Sequence, residues 1–262
     1  MIPINEIRAW SNLVPWVNDE QIEQDLVICR SLVEIFSDES LADKLVFRGG
    51  SAIHKLFLQP QPRYSEDIDL VQKNSGPIKE IVSRIQKVLA FIGEPSVKQN
   101  VSNNTLLFRF NSENTTPVNL RLKVEINCRE HFSVIGYKEM PFSVSTKWFT
   151  GKARIQTYEL EELMGTKLRA LYQRKKGRDL FDLYKALTLS TPDAGKIIAC
   201  YHEYMNFAVG KSPTRKQFLL NMDQKMNDDD FINDTAFLLR PSENYSHKEA
   251  YELVKNQLLE NL

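Results

Sequence analysis

LVFRGGSAIHKLF, residues 45–57, and RYSEDIDLV, residues 63–71, decide how the chain reads. The apolar run Leu45 to Phe47 has strand character and ends at Gly49, Gly50 and Ser51. Beyond them Ala52, Ile53, Leu56 and Phe57 suggest a helix halted before Pro60. A strand, a tight turn and a helix follow from that order. In the second stretch the residue types alternate from Asp67 to Val71. Side chains on a strand point to opposite faces in turn, so Asp67 and Asp69 share one face while Ile68 and Leu70 take the other.

Working outward, Ile22, Leu26, Cys29, Val33 and Phe36 recur at helical spacing and predict an amphipathic helix over 18–36. A second helix is expected over 78–91, ended by Gly93 and Pro95. Val97 to Val101 and Thr105 to Phe110 read as a hairpin whose turn is Ser102, Asn103 and Asn104. In the strand expected over 120–127, Leu120, Leu122, Val124 and Ile126 lie on one face and Arg121, Lys123, Glu125 and Asn127 on the other. If this strand neighbours that of Asp67, three carboxylates converge. From Tyr158 onward helical segments are expected at 158–173, 178–189, 193–208, 214–225 and 247–261. The expected architecture is therefore an α/β domain over 1–155 followed by a mostly helical domain over 156–262.

The 262 residues suffice for a substantial core, and 34 basic against 34 acidic side chains leave no overall attraction to nucleic acid. Any such binding must use a local basic face. Cys29, Cys128 and Cys200 form neither a disulfide framework nor a metal pair, and no signal peptide or spanning segment is evident. A soluble protein of the reducing cytoplasm, without a membrane role, is expected.

Clustered carboxylates repel one another unless a cation neutralises them, and magnesium favours such oxygen donors. Two ions bridged by Asp67 and Asp69, with Glu125 as third acid, would suit phosphoryl or nucleotidyl transfer. An Asp-x-Asp pair alone more often marks the wet face of a sheet. The glycine turn adds weight, because amides at a helix start can bind phosphate. Arg63 and Ser65 offer a cation and a hydroxyl where a triphosphate could lie. Lys167 falls within the apolar stripe of Leu160, Leu163, Met164, Leu168 and Leu171, and reads either as a snorkelling side chain or as a phosphate contact. Arg174, Lys175, Lys176 and Arg178 form a basic turn able to grip phosphates or RNA. Asp182 is expected on the solvent side of its helix, where structural and catalytic readings balance. Asp228, Asp229 and Asp230 read as a solvated loop, and no histidines have metal-ligand spacing.

Three quoted runs carry a family resemblance: FRGGSAIHKL at 47–56, RYSEDIDL at 63–70, and KLRALYQRKKGRDLFDL at 167–183. Together they resemble the signatures of the nucleotidyltransferase AbiEii/AbiGii toxin family over about residues 44–187. The resemblance implies a polymerase-β-like core in which Gly50 and Ser51 hold phosphates, Asp67 and Asp69 bind metal, and Lys167 and Asp179 complete the site. Ser65 matches a serine of the signature, whereas Glu125 is assigned from alternation and order alone. Members are associated with abortive infection and toxin–antitoxin pairs, and some add nucleotides to tRNA ends. The implied reaction uses a nucleoside triphosphate and two magnesium ions in a cleft between the two domains. A tRNA 3' end is the implied acceptor and an antitoxin a possible partner. The rivals are a non-catalytic RNA- or protein-binding module and another Asp-x-Asp metal enzyme, such as a hydrolase or glycosyltransferase.

Overall fold

The computed structural model describes residues 2–114 and 116–262. It divides into two compact units: Met1–Phe132 with Tyr137–Tyr158, and Ser133–Gly136 with Glu159–Leu262.

In the first unit, α1 (Ile4–Trp10), α2 (Asp19–Ser37) and α3 (Glu39–Ala42) precede β1 (Leu45–Arg48). The Asn18 carbonyl of the side chain accepts from the Glu20 and Gln21 amides at 2.9 and 3.3 Å, satisfying two otherwise orphan donors at the start of α2. The predicted stripe of α2 is buried, as are Leu26, Val27, Ile28, Leu32 and Ile35, because this helix packs on the sheet over a wide face. After β1 the chain enters a short helix, α4 (Gly49–Ala52), which widens into a π turn over Ile53–Phe57. Then come β2 (Asp67–Gln72), α5 (Lys79–Val88), β3 (Ser96–Gln99), β4 (Asn103–Asn111), β5 (Asn119–Asn127), β6 (Tyr137–Ser145) and β7 (Thr150–Tyr158).

Among the described residues these strands make one mixed seven-stranded sheet in the order β3-β4-β5-β2-β1-β7-β6. β2 lies antiparallel to β1 and parallel to β5, so the two strands bearing acids are neighbours. Leu120, Leu122, Val124 and Ile126 are buried against one face, as the alternation predicts. The hairpin turn differs from the expectation. Asn103 and Asn104 already pair within the sheet, and the Asn100 side chain accepts from the Ser102 and Asn103 amides at 2.9 and 2.6 Å. An asparagine that bonds its own backbone two residues on sets the turn earlier. The β6–β7 hairpin has no counterpart in the sequence reading. Its edge strand does alternate, with half-buried Met140 and Phe142 and buried Val144 set against exposed Glu139, Pro141, Ser143 and Ser145, but the stripe is short and Pro141 interrupts it.

The second unit contains α6 (Leu160–Gln173), α7 (Gly177–Leu189), α8 (Ala194–Val209), α9 (Arg215–Met226), α10 (Asp229–Asn233) and α11 (His247–Gln257). Met164, Leu168, Leu171, Leu180, Leu183 and Tyr201 are among the residues of its core. Gly165 allows α6 and α8 to touch, since a Cβ there would stand 2.6 Å from that of Cys200 and 2.9 Å from the Ile197 carbonyl. The Glu162 carboxylate, fully buried, gathers Ser133 Oγ, the Val134 and Ile135 amides and Tyr204 Oη at 2.7 to 3.0 Å. This attachment explains why Ser133–Gly136 belongs to the helical unit. No helix among the described residues is long and apolar enough to cross a membrane.

Glu23 on α2 is fully buried, accepts one hydrogen bond, from the Glu113 amide at 3.0 Å, and leaves Oε1 without a partner among the described residues. Burial, reinforced by Glu20 and Asp19, pushes its carboxyl up to about 7. The folded state therefore keeps a proton that the unfolded chain loses above its ordinary Glu value, and stability from this group falls as pH rises through that window. Glu23→Gln should gain about 2 kcal/mol relative to wild type between about pH 5 and about pH 8, read from urea melts at each pH.

Candidate active site on the mixed sheet

The parallel register of β2 and β5 sets Asp69 opposite Glu125 and Asp67 opposite Lys123. The antiparallel register with β1 sets Arg48 opposite Asp69. Strand alternation turns these side chains to one face, so the three acids foreseen from the sequence are brought together with two cations. Lys123 Nζ lies 3.0 Å from Asp67 Oδ2 and 3.3 Å from Glu125 Oε2. Asn103 Nδ2 donates to Glu125 Oε1 at 3.1 Å, holding the other oxygen of that carboxylate. Arg48 is tied to the buried Glu130 by a short ion pair.

The glycine turn fits closely over this cluster. Gly49 has φ +80°, and a Cβ there would collide with Asp69 Oδ2. Ser51, also buried, is within 2.7 Å of Ser65 Oγ and donates to the Asp67 carbonyl, which pins the turn to the start of β2. Gly50 is buried beside it. Arg63 is only 2% exposed and donates to the Tyr64 carbonyl at 2.8 Å, within the segment leading to β2.

Charge explains the titration at the centre. Burial pushes the Asp69 carboxyl up from the ordinary Asp value; Asp67 and Glu125 add to this, while Arg48 and Lys123 oppose it. Burial alone would lower the Lys123 ammonium, but its hydrogen bond to Asp67 and the charges of all three acids raise it. Among the described residues no trio of His, Cys, Asp or Glu is drawn close enough to enclose an ion. The donor set nonetheless fits a hard divalent cation. It consists of carboxylate oxygens, two of its side chains are about a third exposed, and its negative charge already draws in an ammonium. Asp67, Asp69 and Glu125 are the residues that would hold it.

The signature residues of the second unit form a buried ion cluster. Lys167 Nζ lies 3.0 Å from Asp179 Oδ1 and 2.8 Å from Asp182 Oδ2, and both acids are fully buried. Arg174 adds a bidentate contact to Asp179 at 2.6 and 2.7 Å. Burial alone would raise the Asp179 carboxyl, but Lys167 and Arg174 outweigh it and hold the group below the ordinary Asp value. Asp182 is thus not on a solvent face. α7 is buried on more than its leucine stripe, and the side bearing Asp182 meets Lys167.

The basic turn is likewise answered by acids. Lys175 pairs with Asp228 and Asp230, and Lys176 and Arg178 pair with Asp234. The acidic run is therefore more than a solvated loop: Asp228 also caps α10 by accepting from the Phe231 amide at 3.1 Å. Arg48, Lys123, Glu130 and Asn103 were not singled out from the sequence. Lys123 had a visible signal, its place two residues before Glu125 on the same strand face.

Gly49→Ala should lower stability by about 2 kcal/mol or more in chemical denaturation, because it combines an unfavourable φ with a clash at Asp69. Lys167→Met should cost about 3–5 kcal/mol, since two buried carboxylates lose their shared cation, whereas an additional Asp179→Asn, Asp182→Asn pair should recover part of it.

Comparison with known proteins extends the reading beyond the local geometry. No curated protein matches the chain. Among solved structures it is similar to MenT4, a nucleotidyltransferase toxin from Mycobacterium tuberculosis H37Rv, with TM-score 0.65 and 13% identity over 100% of this chain and 91% of that one. It is also similar to JHP933 from Helicobacter pylori, with TM-score 0.56 and 18% identity over 94% of each chain. At such identities these likenesses establish the nucleotidyltransferase fold. The family described as nucleotidyl transferase AbiEii toxin of the type IV toxin–antitoxin system matches residues 30–253, so the chain belongs to the AbiEii nucleotidyltransferase toxins.

Proposed function

We propose that this toxin nucleotidyltransferase moves a nucleoside monophosphate from a nucleoside triphosphate to an RNA acceptor, a tRNA 3' end, in the cytoplasm. The reading is carried by the convergence of Asp67, Asp69 and Glu125 beside the turn of Gly49, Gly50 and Ser51. Asp67, Asp69 and Glu125 would hold two magnesium ions, which when bound offset the charge that develops on the phosphoryl oxygens. Gly50 and Ser51 orient the triphosphate, and Ser65 keeps Ser51 in place through their hydroxyl contact. An acceptor hydroxyl attacks the α-phosphorus, the bond to the bridging oxygen breaks, and pyrophosphate leaves. Arg63, from its buried position, shapes the approach to β2 rather than reaching into solvent. The family resemblance implies that Lys167 and Asp179 belong to the catalytic set, and the basic turn offers Arg178 as a phosphate contact, which would require it to leave Asp234. A cognate antitoxin is the partner expected of a type IV system.

The ion pairing of the basic turn argues against a purely binding role, because Lys175, Lys176 and Arg178 already have acidic partners. A reaction assay separates the readings. Wild-type protein and Asp67→Ala are incubated with magnesium, total tRNA and each labelled nucleoside triphosphate in turn. Label should enter RNA with the wild type and fall by at least about a hundredfold with a folded Asp67→Ala protein. Equal transfer by both would refute the assignment of Asp67.

A further inference from the structure

Lys123 occupies a position that the proposed chemistry does not use. Its ammonium stands at 3.0 Å from Asp67 and 3.3 Å from Glu125, on the same strand face as Glu125 and in register with Asp67. The other cation of the cluster, Arg48, stands in register with Asp69 and is itself paired with buried Glu130. Lys123 is thus the cation that bridges two of the three acids. Its side chain remains 35% exposed, so the stem has room to swing its ammonium into water without disturbing the strand.

We infer that Lys123 is the resident counter-cation of the acidic face, and that a divalent ion entering among Asp67, Asp69 and Glu125 must displace it. The inference rests on the metal-dependent reading of this site. Without a cation the three carboxylates repel one another across adjacent strands. Lysine relieves that repulsion during folding and in the nucleotide-free protein. It then competes for the same carboxylate oxygens that an ion needs, Asp67 Oδ2 and Glu125 Oε2. Lys123 accordingly sets a threshold: a bare ion binds weakly, whereas an ion delivered with a triphosphate has phosphate oxygens as additional ligands and wins the competition. A flexible ammonium suits this better than a guanidinium fork, because its single-point contact is more readily given up.

The test measures Mn2+ binding to the full chain without nucleotide, by the loss of free-ion electron paramagnetic resonance signal. Wild type, Lys123→Met, Lys123→Arg and Asp67→Asn are compared. Lys123→Met should bind Mn2+ about tenfold more tightly than wild type, Lys123→Arg no more tightly than wild type, and Asp67→Asn far more weakly. Metal-free Lys123→Met should also melt below wild type and gain more from added Mn2+, a response that loss of packing alone would not produce. Equal affinity in wild type and Lys123→Met, with binding lost in Asp67→Asn, overturns the inference and leaves the proposed function intact. Absence of Mn2+ binding in both wild type and Lys123→Met, even with a non-hydrolysable triphosphate present, overturns both.

Discussion

Repulsion among carboxylates on one face of two parallel strands is the constraint around which the first unit is arranged. Each acid near another favours protonation, and at Asp69 burial raises the carboxyl with Asp67 and Glu125 adding to it. The surrounding residues act on this problem from different sides. Arg48 brings positive charge along β1, Lys123 spans Asp67 and Glu125, and Asn103 fixes the remaining oxygen of Glu125. Gly49 lets the backbone pass where any side chain would strike Asp69. The turn, the strand register and the charge pattern thus meet at one acidic face that already carries positive charge beside it.

The second unit handles charge by burial. Lys167, Asp179, Asp182 and Arg174 make an ion cluster whose acids are wholly removed from water. Well-packed apolar residues of similar volume would often be as stable, so stability alone does not account for such a cluster. These residues lie in the 167–183 run that resembles the AbiEii family, which is the ground on which Lys167 and Asp179 are proposed for the site. Glu162 and Lys225 serve the architecture. One binds the amides of the 133–136 loop, and the other donates to the Leu171 and Tyr172 carbonyls at the end of α6.

Local patterns in the sequence revealed much of this. The alternation of Asp67 to Val71 and of Leu120 to Asn127 identified the acid-bearing faces because side-chain direction on a strand depends on the immediate backbone. The stripes of α2 and α6 were readable for the same reason at helical period. Asp182 was misread because a helix wheel cannot report that a second face is buried when its buried member is an acid. The β6–β7 hairpin escaped notice because the alternation of Met140, Phe142 and Val144 is short and broken by Pro141, a residue that demotes a strand reading. The acidic run at Asp228 was read as solvent-facing since its cation, Lys175, lies far away in sequence.

Sequence by itself determined the acid-bearing strand faces, the glycine turn, the longer helical segments and, through the three quoted runs, the family. Those properties depend on neighbours within a few residues, where backbone geometry dictates which side chains align. Only the tertiary structure decided that β2 and β5 are parallel neighbours in the register Asp69 to Glu125, that Lys123 bridges the acids, and that Lys167 is shared by Asp179 and Asp182. Register and ion pairing join segments distant in the chain, and the packing that selects one pairing over another is a property of the whole core.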